Sequence, residues 1–371
     1  MKILVLATNY PRPDGFVSLQ YIHTRNKRYL DYDIDVSVIS FASRNNYTLD
    51  GVKVYSLEAY CNDLESEKFD ILISHAPNIR EHYKFIKKYG EKFDNIVFFF
   101  HGHEVLRASK IYPKPYSYVK RSSVISRLIR EFYDTYKLFF WKRFFVRNAY
   151  KSHFIFVSNW MYEMFLKFVK INPNKIINRM DIIYNSIGKE FENEKYDFNS
   201  EKKYDFITIR TSIDGSKYGI DIVNKLAKNN TQYSFCIIGK GEYFNHFEKA
   251  DNVTWINSHL SHDEIIKNLN ESKCALLPTR ADAQGVMACE MATFGIPLIT
   301  SNIEVCKEVF SEFNNVRYID NEETNTNLSP IFCDLLKNVS TQKSEKYFAK
   351  NTIGKEVEVF NRIVRKGTNH G

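Results

Sequence analysis

The chain has 371 residues, of which 44% are hydrophobic and 26% are charged, and its formal net charge is +8. A single hydrophobic core stops growing near about 250–300 residues, so this length predicts two domains. The composition is ordinary for a folded globular protein and excludes an intrinsically disordered chain.

Apolar runs are short throughout the sequence. A membrane-spanning helix needs about 20 consecutive apolar residues, and the richest runs here, residues 96–100 and 138–141, are far shorter. The apolar start at residues 3–7 is too short for the core of a signal peptide. We therefore expect a cytoplasmic protein in which this start is the first buried strand.

Strand and helix patterns alternate along the first half. The predicted strands are residues 3–8, 36–41, 54–55, 71–74, 96–100, 154–157 and 182–184. They are rich in Ile, Val and Phe with little polar alternation, which is typical of strands buried on both faces of a parallel sheet. Helical patterns at residues 17–30 and 159–169 lie between them, so we predict a doubly wound sheet with right-handed crossovers.

One segment of the first half carries the whole basic excess. Residues 107–151 contain 12 Lys or Arg against two acidic residues, Glu131 and Asp134. Aromatic residues are interspersed among them, and a basic amphipathic helix suits an anionic membrane surface. A solvated basic helix whose aromatic residues belong to the core stays open as an alternative. No RNA-binding signature accompanies the segment, so nucleic acid is not expected as a partner.

The alternation starts again in the second half. Strands are predicted at residues 206–210, 234–238, 253–256, 274–277 and 297–300, and helices at 220–228, 263–270, 285–294 and 304–310. The polar and charged residues 188–203 indicate a linker. We predict an N-terminal domain at residues 1–190, a C-terminal domain at 203–343 and a last helix within about 344–371.

The most informative stretch is residues 277–300. A strand ends near Pro278, a polar loop follows, and Gly285 opens a helix. Because Gly285 has no side chain, a diphosphate can approach the backbone N–H groups at the positive end of the helix. Asp282 and Glu290 lie around this helix start and can bind hydroxyls on either side of a phosphate. On spacing alone, a strand-loop-helix without a ligand stays open.

These residues resemble the Glu-x7-Glu signature of retaining GT-B glycosyltransferases, especially those of family four. The matching positions are Gly285, Glu290, Met291, Ala292, Gly295 and Pro297. Asp282 stands where the family has its first Glu. The resemblance extends over most of the chain and implies an α/β fold of the GT-B type. In this fold two Rossmann-like, doubly wound domains face a cleft, and the C-terminal helix crosses back to the N-terminal, acceptor-side domain.

The resemblance also implies roles for the residues of this stretch. Asp282 would orient the donor sugar, and Glu290 would bind the ribose of the nucleotide. The diphosphate would lie against the backbone of four residues, Gln284, Gly285, Val286 and Met287.

Two further segments of the C-terminal half match the family. Residues 209–221 resemble its Gly-Arg-x(n)-Lys-Gly segment, so Arg210 and Lys217 would neutralise the diphosphate and stabilise it as the leaving group. A basic surface loop is the alternative. Gly239 lies in a Gly-x-Gly turn that resembles the family's turn near the base and ribose, and a plain tight turn is the alternative.

Two positions of the N-terminal half complete the resemblance. His101 ends a predicted strand, as the family's histidine does, and would face the donor sugar. A histidine at a strand end is also often a core residue, and that alternative stays open. Gly15 resembles the glycine-rich loop near the donor phosphate and the acceptor. His103 and Glu104 are weaker candidates.

The predicted function is retaining transfer of a sugar from a nucleoside diphosphate sugar to an acceptor hydroxyl. By analogy, the acceptor is a lipid-linked glycan in surface polysaccharide assembly. No cofactor or metal is expected, because Arg210, Lys217 and the helix start neutralise the diphosphate. Another GT-B enzyme (a nucleotide-sugar epimerase or a sugar phosphorylase) and a non-catalytic binding subunit stay open.

Overall fold

The computed structural model describes residues 1–16, 18–119, 124–323, 325–337 and 343–368. The chain forms two compact units. Unit 1 comprises Met1–Arg107, Glu131–Ser186 and Phe348–Gly371, and unit 2 comprises Ala108–Arg130 and Ile187–Tyr347.

The described strands and helices alternate as the sequence predicts. The strands are β1 (Lys2–Ala7), β2 (Asp35–Ser40), β3 (Tyr47–Leu49), β4 (Val52–Tyr55), β5 (Ile71–His75), β6 (Ile96–Phe100), β7 (Ser152–Phe156), β8 (Met180–Ile182), β9 (Tyr204–Ser212), β10 (Phe235–Lys240), β11 (Val253–Ile256), β12 (Ser272–Leu277), β13 (Leu298–Ser301) and β14 (Val316–Ile319). The helices are α1 (Gln20–Leu30), α2 (Leu57–Ala59), α3 (His82–Tyr89), α4 (Ala108–Ile111), α5 (Val124–Arg147), α6 (Asn159–Val169), α7 (Lys189–Asn193), α8 (Ile220–Asn229), α9 (Tyr243–His246), α10 (His262–Asn270), α11 (Val286–Phe294), α12 (Glu304–Val309), α13 (Ser329–Lys337) and α14 (Ile353–Thr368).

Unit 1 is built on a sheet with the strand order β3-β4-β2-β1-β5-β6-β7-β8. Strand β3 is antiparallel to β4, and the other pairs are parallel. The central strand β1 has its apolar side chains, Ile3 to Leu6, fully buried. Burial on both faces accounts for the continuous apolar runs of these strands.

The C-terminal helix α14 packs in the core of unit 1. Ile353 and Phe360 join the hydrophobic cluster that contains the side chains of β1 and α1. The carboxylate of Glu356, fully buried, accepts a hydrogen bond from Arg25 Nε at 2.9 Å. It also accepts one from the hydroxyl of Tyr29. The last helix therefore lies with the first part of the chain.

Unit 2 is built on a sheet with the order β11-β10-β9-β12-β13-β14, in which every pair is parallel. After β9, the chain adds β10 and β11 on one side of this strand. It then returns and places β12 on the other side of β9. This arrangement makes a topological switch point between β9 and β12, where ligands of doubly wound sheets bind. The core of unit 2 includes α8 and α13, through Val223, Leu226 and Phe332.

Two segments group differently from the predicted domain boundaries. Residues 108–119 and 124–130, which the sequence predicts in the N-terminal domain, belong to unit 2, where the Tyr116 hydroxyl donates to Asp221 Oδ1 at 2.8 Å. The predicted linker 188–203 begins with helix α7 and buries Tyr196, whose hydroxyl donates to the backbone oxygen of Ser272 at 2.6 Å. Long-range hydrogen bonds of aromatic residues decide both placements.

The described helices include none that is both long and apolar enough to cross a membrane. Four of the six cysteines, Cys236, Cys274, Cys289 and Cys306, are buried as free thiols, whereas Cys333 is exposed.

Candidate functional site

The candidate site lies in unit 2 at the carboxyl ends of β9 and β12. Arg210 lies near the carboxyl end of strand β9, and the loop that carries Lys217 follows this strand. The loop after β12 leads through Asp282 to Gly285 and helix α11. The structure thus brings the predicted residues of the C-terminal half to one edge of one sheet, at the switch point.

Helix α11 begins at a glycine in the left-handed region. Gly285 has φ +76°, and a Cβ placed there would lie 3.3 Å from Asp282 Oδ2. As the N-cap residue, Gly285 has no side chain with which to cap the helix. The first N–H groups of a helix have no partner within the helix and carry its positive dipole end. The backbone at Val286 and Met287 therefore lies at the positive end of a helix, and its role in binding a diphosphate stays a prediction.

Asp282 organises the loop that precedes this helix. Its Oδ1 accepts hydrogen bonds from the backbone nitrogens of Ala283 at 2.8 Å and Gln284 at 3.3 Å. The Gln284 N–H is therefore engaged by Asp282, and its buried side chain contacts the Cys289 sulfur at 3.7 Å. In the predicted diphosphate site, the backbone N–H groups that can donate to a ligand therefore begin at Gly285.

Glu290 is buried, and its Oε1 accepts a hydrogen bond from the backbone N–H of Gly188 at 3.1 Å. Burial raises the pKa of Glu290 to about 7, and the nearby His262 opposes this shift. His262 Nδ1 lies 2.9 Å from Glu190 Oε2, so a second carboxylate borders the site. Glu290 therefore holds its proton to a higher pH than an exposed glutamate does.

The two predicted cations have different surroundings. Arg210 Nη2 donates to the carbonyl oxygen of Pro278 at 2.8 Å, whereas its buried Nε has no hydrogen-bond partner within the described part of the chain. Burial lowers the pKa of the Arg210 guanidinium, and the negative charge of Asp282 opposes that shift. Lys217 lies in a single 3₁₀ turn, Ser216–Tyr218, with its Nζ 4.8 Å from the centre of the Tyr218 ring.

Gly239 brings the turn after β10 into contact with β9. A Cβ at this position would lie 2.4 Å from the carbonyl oxygen of Arg210, a distance that no side chain tolerates. The carbonyl of Gly239 accepts a hydrogen bond from Trp255 Nε1 at 3.1 Å. The glycine therefore has a packing role beside the cation of the site.

In unit 1, His101 directly follows β6 at the carboxyl edge of the sheet. Its Nε2 lies 3.1 Å from His75 Nδ1, and its ring centre lies 4.5 Å from that of Tyr21. Burial, reinforced by the charge of Arg25, holds the pKa of His101 well below its usual range. His101 is therefore an uncharged hydrogen-bonding group at neutral pH.

The other predicted positions of unit 1 lie in loops. Gly15 adopts φ +87° in an exposed turn after β1, in which its N–H donates to the Arg12 carbonyl at 3.1 Å. The buried Glu104 accepts hydrogen bonds from the backbone N–H groups of His101 and Gly102. The carbonyl of His103 accepts a hydrogen bond from Lys137 Nζ at 2.8 Å. Glu104 thus supports the loop that carries His101.

Sequence reasoning missed two residues that contact predicted ones. His75 ends β5 as His101 ends β6, and a second histidine at a strand end was the available signal. Tyr218 stands directly between Lys217 and the glycine that opens α8, and only the structure places its ring beside Arg210 as well.

The edge of unit 2 combines two cations, a helix start and two carboxyls, an arrangement suited to a diphosphate linked to hydroxyl-rich groups. The described residues contain no group of three or more His, Cys, Asp or Glu side chains placed to hold a metal ion. The fold defines a protein of the doubly wound α/β class, and this edge is its candidate anion site.

Comparisons with known proteins specify this class. A glycosyltransferase from Rickettsia africae ESF-5 has 10% sequence identity and a TM-score of 0.65, with 98% of each chain covered. WaaG, a glycosyltransferase involved in lipopolysaccharide biosynthesis, has 14% identity and a TM-score of 0.63, with 96% of this chain and 99% of that chain covered. The pneumococcal O-GlcNAc transferase GtfA, solved with UDP and GlcNAc, has 16% identity and a TM-score of 0.57, over 86% of this chain and 63% of that chain. At these identities the likeness shows the fold.

Residues 189–354 match the family model of glycosyl transferases group 1. None of the curated protein sequences matches the chain. The chain has the GT-B fold, so the predicted fold class is confirmed, and the group 1 match over residues 189–354 supports the predicted enzyme class, a glycosyltransferase. The matched region contains every predicted site residue of unit 2.

Proposed function

We propose that this glycosyltransferase uses a nucleoside diphosphate sugar and transfers the sugar to an acceptor hydroxyl with retention of anomeric configuration. The observation that carries the proposal is the arrangement of Arg210, Lys217 and the uncapped start of α11 around one strand edge of unit 2. Positive groups placed where charge develops on a leaving diphosphate lower the barrier to its departure.

The predicted site residues of unit 2 each have a role in this proposal. The backbone at Gly285, Val286 and Met287 holds the diphosphate, Asp282 orients the sugar, and the ionised form of Glu290 accepts hydrogen bonds from the ribose hydroxyls. Gly239 lets the turn after β10 approach the nucleotide.

In the proposed transfer, the bond between the anomeric carbon and the diphosphate oxygen breaks, and the acceptor oxygen forms its bond on the same face of the sugar. The acceptor proton passes to the departing phosphate oxygen. The cations and the helix start stabilise the diphosphate, and we propose no metal or cofactor. His101, predicted as a further catalytic residue, stays a prediction.

A thermal-shift screen tests the donor assignment. The purified chain is mixed with UDP, GDP, ADP and CMP and with their common sugar conjugates. We expect a rise in melting temperature for one nucleoside diphosphate and its sugars, and loss of that rise in Glu290→Ala. The matched control is Glu248→Ala, which removes a carboxylate that is 85% exposed in the same unit.

Transfer is then measured with the donor that the screen identifies. Release of nucleoside diphosphate only when an acceptor is present supports the transferase, and nuclear magnetic resonance of the product reports its anomeric configuration. Turnover of the donor without an acceptor, a requirement for inorganic phosphate, or no shift with any nucleotide would contradict the proposal.

We propose further that the acceptor is a lipid-linked glycan of surface polysaccharide assembly, reached at an anionic membrane surface. Helix α5 supports this, because much of its apolar surface faces solvent: Phe132 is 75% exposed and Ile125 is 69% exposed. The other exposed large apolar side chains of the helix are Leu128, Ile129, Tyr133, Tyr136, Phe139 and Val146.

Basic residues share the exposed surface of this helix. The exposed cations are Arg127, Arg130, Lys142, Arg143 and Arg147. Trp141 and Phe145 of helix α5 are fully buried. The alternative that the aromatic residues of this segment belong to the core therefore holds for only part of the helix. Exposed apolar side chains bordered by cations match the interface of an anionic bilayer.

Vesicle sedimentation tests this surface. We expect binding to phosphatidylcholine vesicles that contain phosphatidylglycerol, and weak binding to phosphatidylcholine alone. The double variant Phe132→Ser/Phe139→Ser and the double variant Arg127→Glu/Arg130→Glu should each lose binding, whereas Lys225→Glu on helix α8 should keep it. Equal sedimentation of all these proteins would contradict the membrane proposal and leave the donor assignment unaffected.

A further inference from the structure

The ring of Tyr218 lies beside both cations of the unit 2 site. The guanidinium carbon of Arg210 is 5.3 Å from the ring centre, and Lys217 Nζ is 4.8 Å from it. Lys217 Nζ also lies 5.7 Å from the ring centre of Tyr112. Cations within about 6 Å of an aromatic ring are attracted by its quadrupole. One ring thus contacts the two groups that the proposed function assigns to the diphosphate.

The backbone around Tyr218 is shaped to hold this ring. A Cβ on Gly215 would lie 2.8 Å from Tyr218 Cδ2, so the ring packs directly on a residue without a side chain. The N–H of Tyr218 donates to the Gly215 carbonyl at 2.8 Å and closes the turn. Gly219 ends it at φ +65°, where a Cβ would lie 3.0 Å from the Pro278 carbonyl oxygen. Gly215 therefore gives the ring its place, and Gly219 lets the turn that carries Tyr218 lie against Pro278.

Bringing two cations to one site has an electrostatic cost, and near Arg210 the negative charge of Asp282 opposes it. Arg210 makes a hydrogen bond to Pro278 through Nη2 alone, and its buried Nε has no partner among the described residues. A donor that is buried and unpaired indicates a missing acceptor, because such a group otherwise loses its hydrogen bond to water without compensation. The contact with the Tyr218 ring offsets part of the repulsion between the two cations and part of the cost of the unpaired Arg210 Nε.

We propose that Tyr218 is a positioning residue, which holds the Arg210 guanidinium and the Lys217 ammonium in place for the diphosphate of the donor. This inference rests on the proposed function, which supplies the diphosphate. The ring itself makes no hydrogen bond to the ligand in this role. Its contribution is to hold two long side chains before binding, so that less conformational freedom is lost when the anion arrives.

Inorganic pyrophosphate tests the inference, because it is the part shared by all nucleoside diphosphates. Its affinity is measured by titration calorimetry on the whole chain and on three variants. We expect Tyr218→Leu to weaken binding by about five- to thirty-fold, the combined effect of two cation–ring contacts. Tyr218→Phe, which keeps the ring, should restore the affinity. Tyr112→Leu, which removes one contact of Lys217, should produce a smaller loss.

The dependence of affinity on salt separates positioning from charge. Lys217→Ala removes a charge and should lower both the affinity and its dependence on salt concentration. Tyr218→Leu keeps both charges and should lower the affinity while leaving the salt dependence as in the unaltered chain. If Tyr218→Leu fails to fold, as judged by its melting transition, the Tyr112→Leu and Tyr218→Phe variants carry the test.

The outcomes also separate this inference from the proposed function. If the unaltered chain binds neither pyrophosphate nor any nucleoside diphosphate of the screen, the donor assignment fails, and this inference fails with it. If the unaltered chain binds pyrophosphate and folded Tyr218→Leu binds it equally well, the positioning role alone is overturned. Loss of binding in Tyr218→Phe to the level of Tyr218→Leu would also overturn it, since the hydroxyl would then be responsible.

Discussion

Replacing Glu290 by Gln tests the electrostatics of the site without creating a cavity. The amide is nearly the same size as the carboxyl, and its oxygen can still accept the hydrogen bond from the Gly188 N–H, which is 3.1 Å from Oε1 in the native chain. The substitution removes the ability to ionise. Differences between the two proteins that depend on pH therefore report the titration of Glu290.

The magnitude follows from the raised pKa. Burial raises the pKa of Glu290 from 4.5 to about 7, so the folded chain binds this proton more tightly than the unfolded chain does. The stability that this contributes is fully present below about pH 4.5 and is lost as the pH rises to about 7. Each pKa unit corresponds to about 1.4 kcal/mol, which gives about 3 kcal/mol in total.

Scanning calorimetry from pH 5 to pH 8 measures the effect. Relative to the native chain, Glu290→Gln should gain about 3 kcal/mol of unfolding free energy toward pH 8, or about 6–12 °C in melting temperature for a unit of this size. The matched control is Glu248→Gln. Lys228 lowers the pKa of the exposed Glu248 carboxyl, so this control should differ from the native chain by a constant amount over the range.

A difference in unfolding free energy between Glu290→Gln and the native chain that stays constant from pH 5 to pH 8 would contradict the raised pKa of Glu290. It would mean that the carboxyl is already ionised when folded at pH 5. Nucleotide binding should respond in the opposite direction. Since the ionised carboxyl is the better acceptor for ribose hydroxyls, affinity in the native chain should rise through about pH 7, and Glu290→Gln should lack this rise.

Two further substitutions test packing in each unit. Glu356→Ala should destabilise unit 1 by about 3–5 kcal/mol in calorimetry, because it leaves the buried Arg25 without its charged partner. The control is Glu358→Ala, on the exposed side of the same helix. Equal melting temperatures of the two variants would contradict the expectation. Gly239→Ala should weaken nucleotide binding by about tenfold, because its Cβ would displace the backbone of β9 at Arg210. Unchanged affinity in that variant would remove this turn from the site.

The strand and helix alternation could be predicted from the sequence, because each element carries its own pattern. Strands buried on both faces need continuous apolar residues, and β1, β6 and β12 were found where such runs lie. The short edge strands β3 and β14 escaped prediction. Both are only partly buried, so their sequences show no run of apolar residues.

Part of the site could also be predicted from local order along the chain. A strand end, a polar loop and a glycine before a helix are consecutive, so their geometry at residues 278–285 follows from local rules. The same holds for Arg210 at a strand end and for His101. The prediction of the enzyme class rests on a resemblance across these local motifs.

Contacts between distant residues could not be predicted. The pKa of Glu290 depends on its burial beside Gly188, about a hundred positions earlier in the chain. The ring of Tyr112 reaches Lys217 because residues 108–119 pack in unit 2, although they follow a strand of unit 1. Neither position has a local pattern that reveals its partner.

The order of strands and helices, the two doubly wound sheets and the motif at the start of α11 could all be predicted from the amino-acid sequence. The side chains that share the edge of unit 2, the contacts of Tyr218 with two cations and the pairing of His75 with His101 became visible only in the folded chain. Secondary structure follows from neighbours along the chain. Side-chain contact, burial and pKa depend on neighbours in space, and folding alone brings these together.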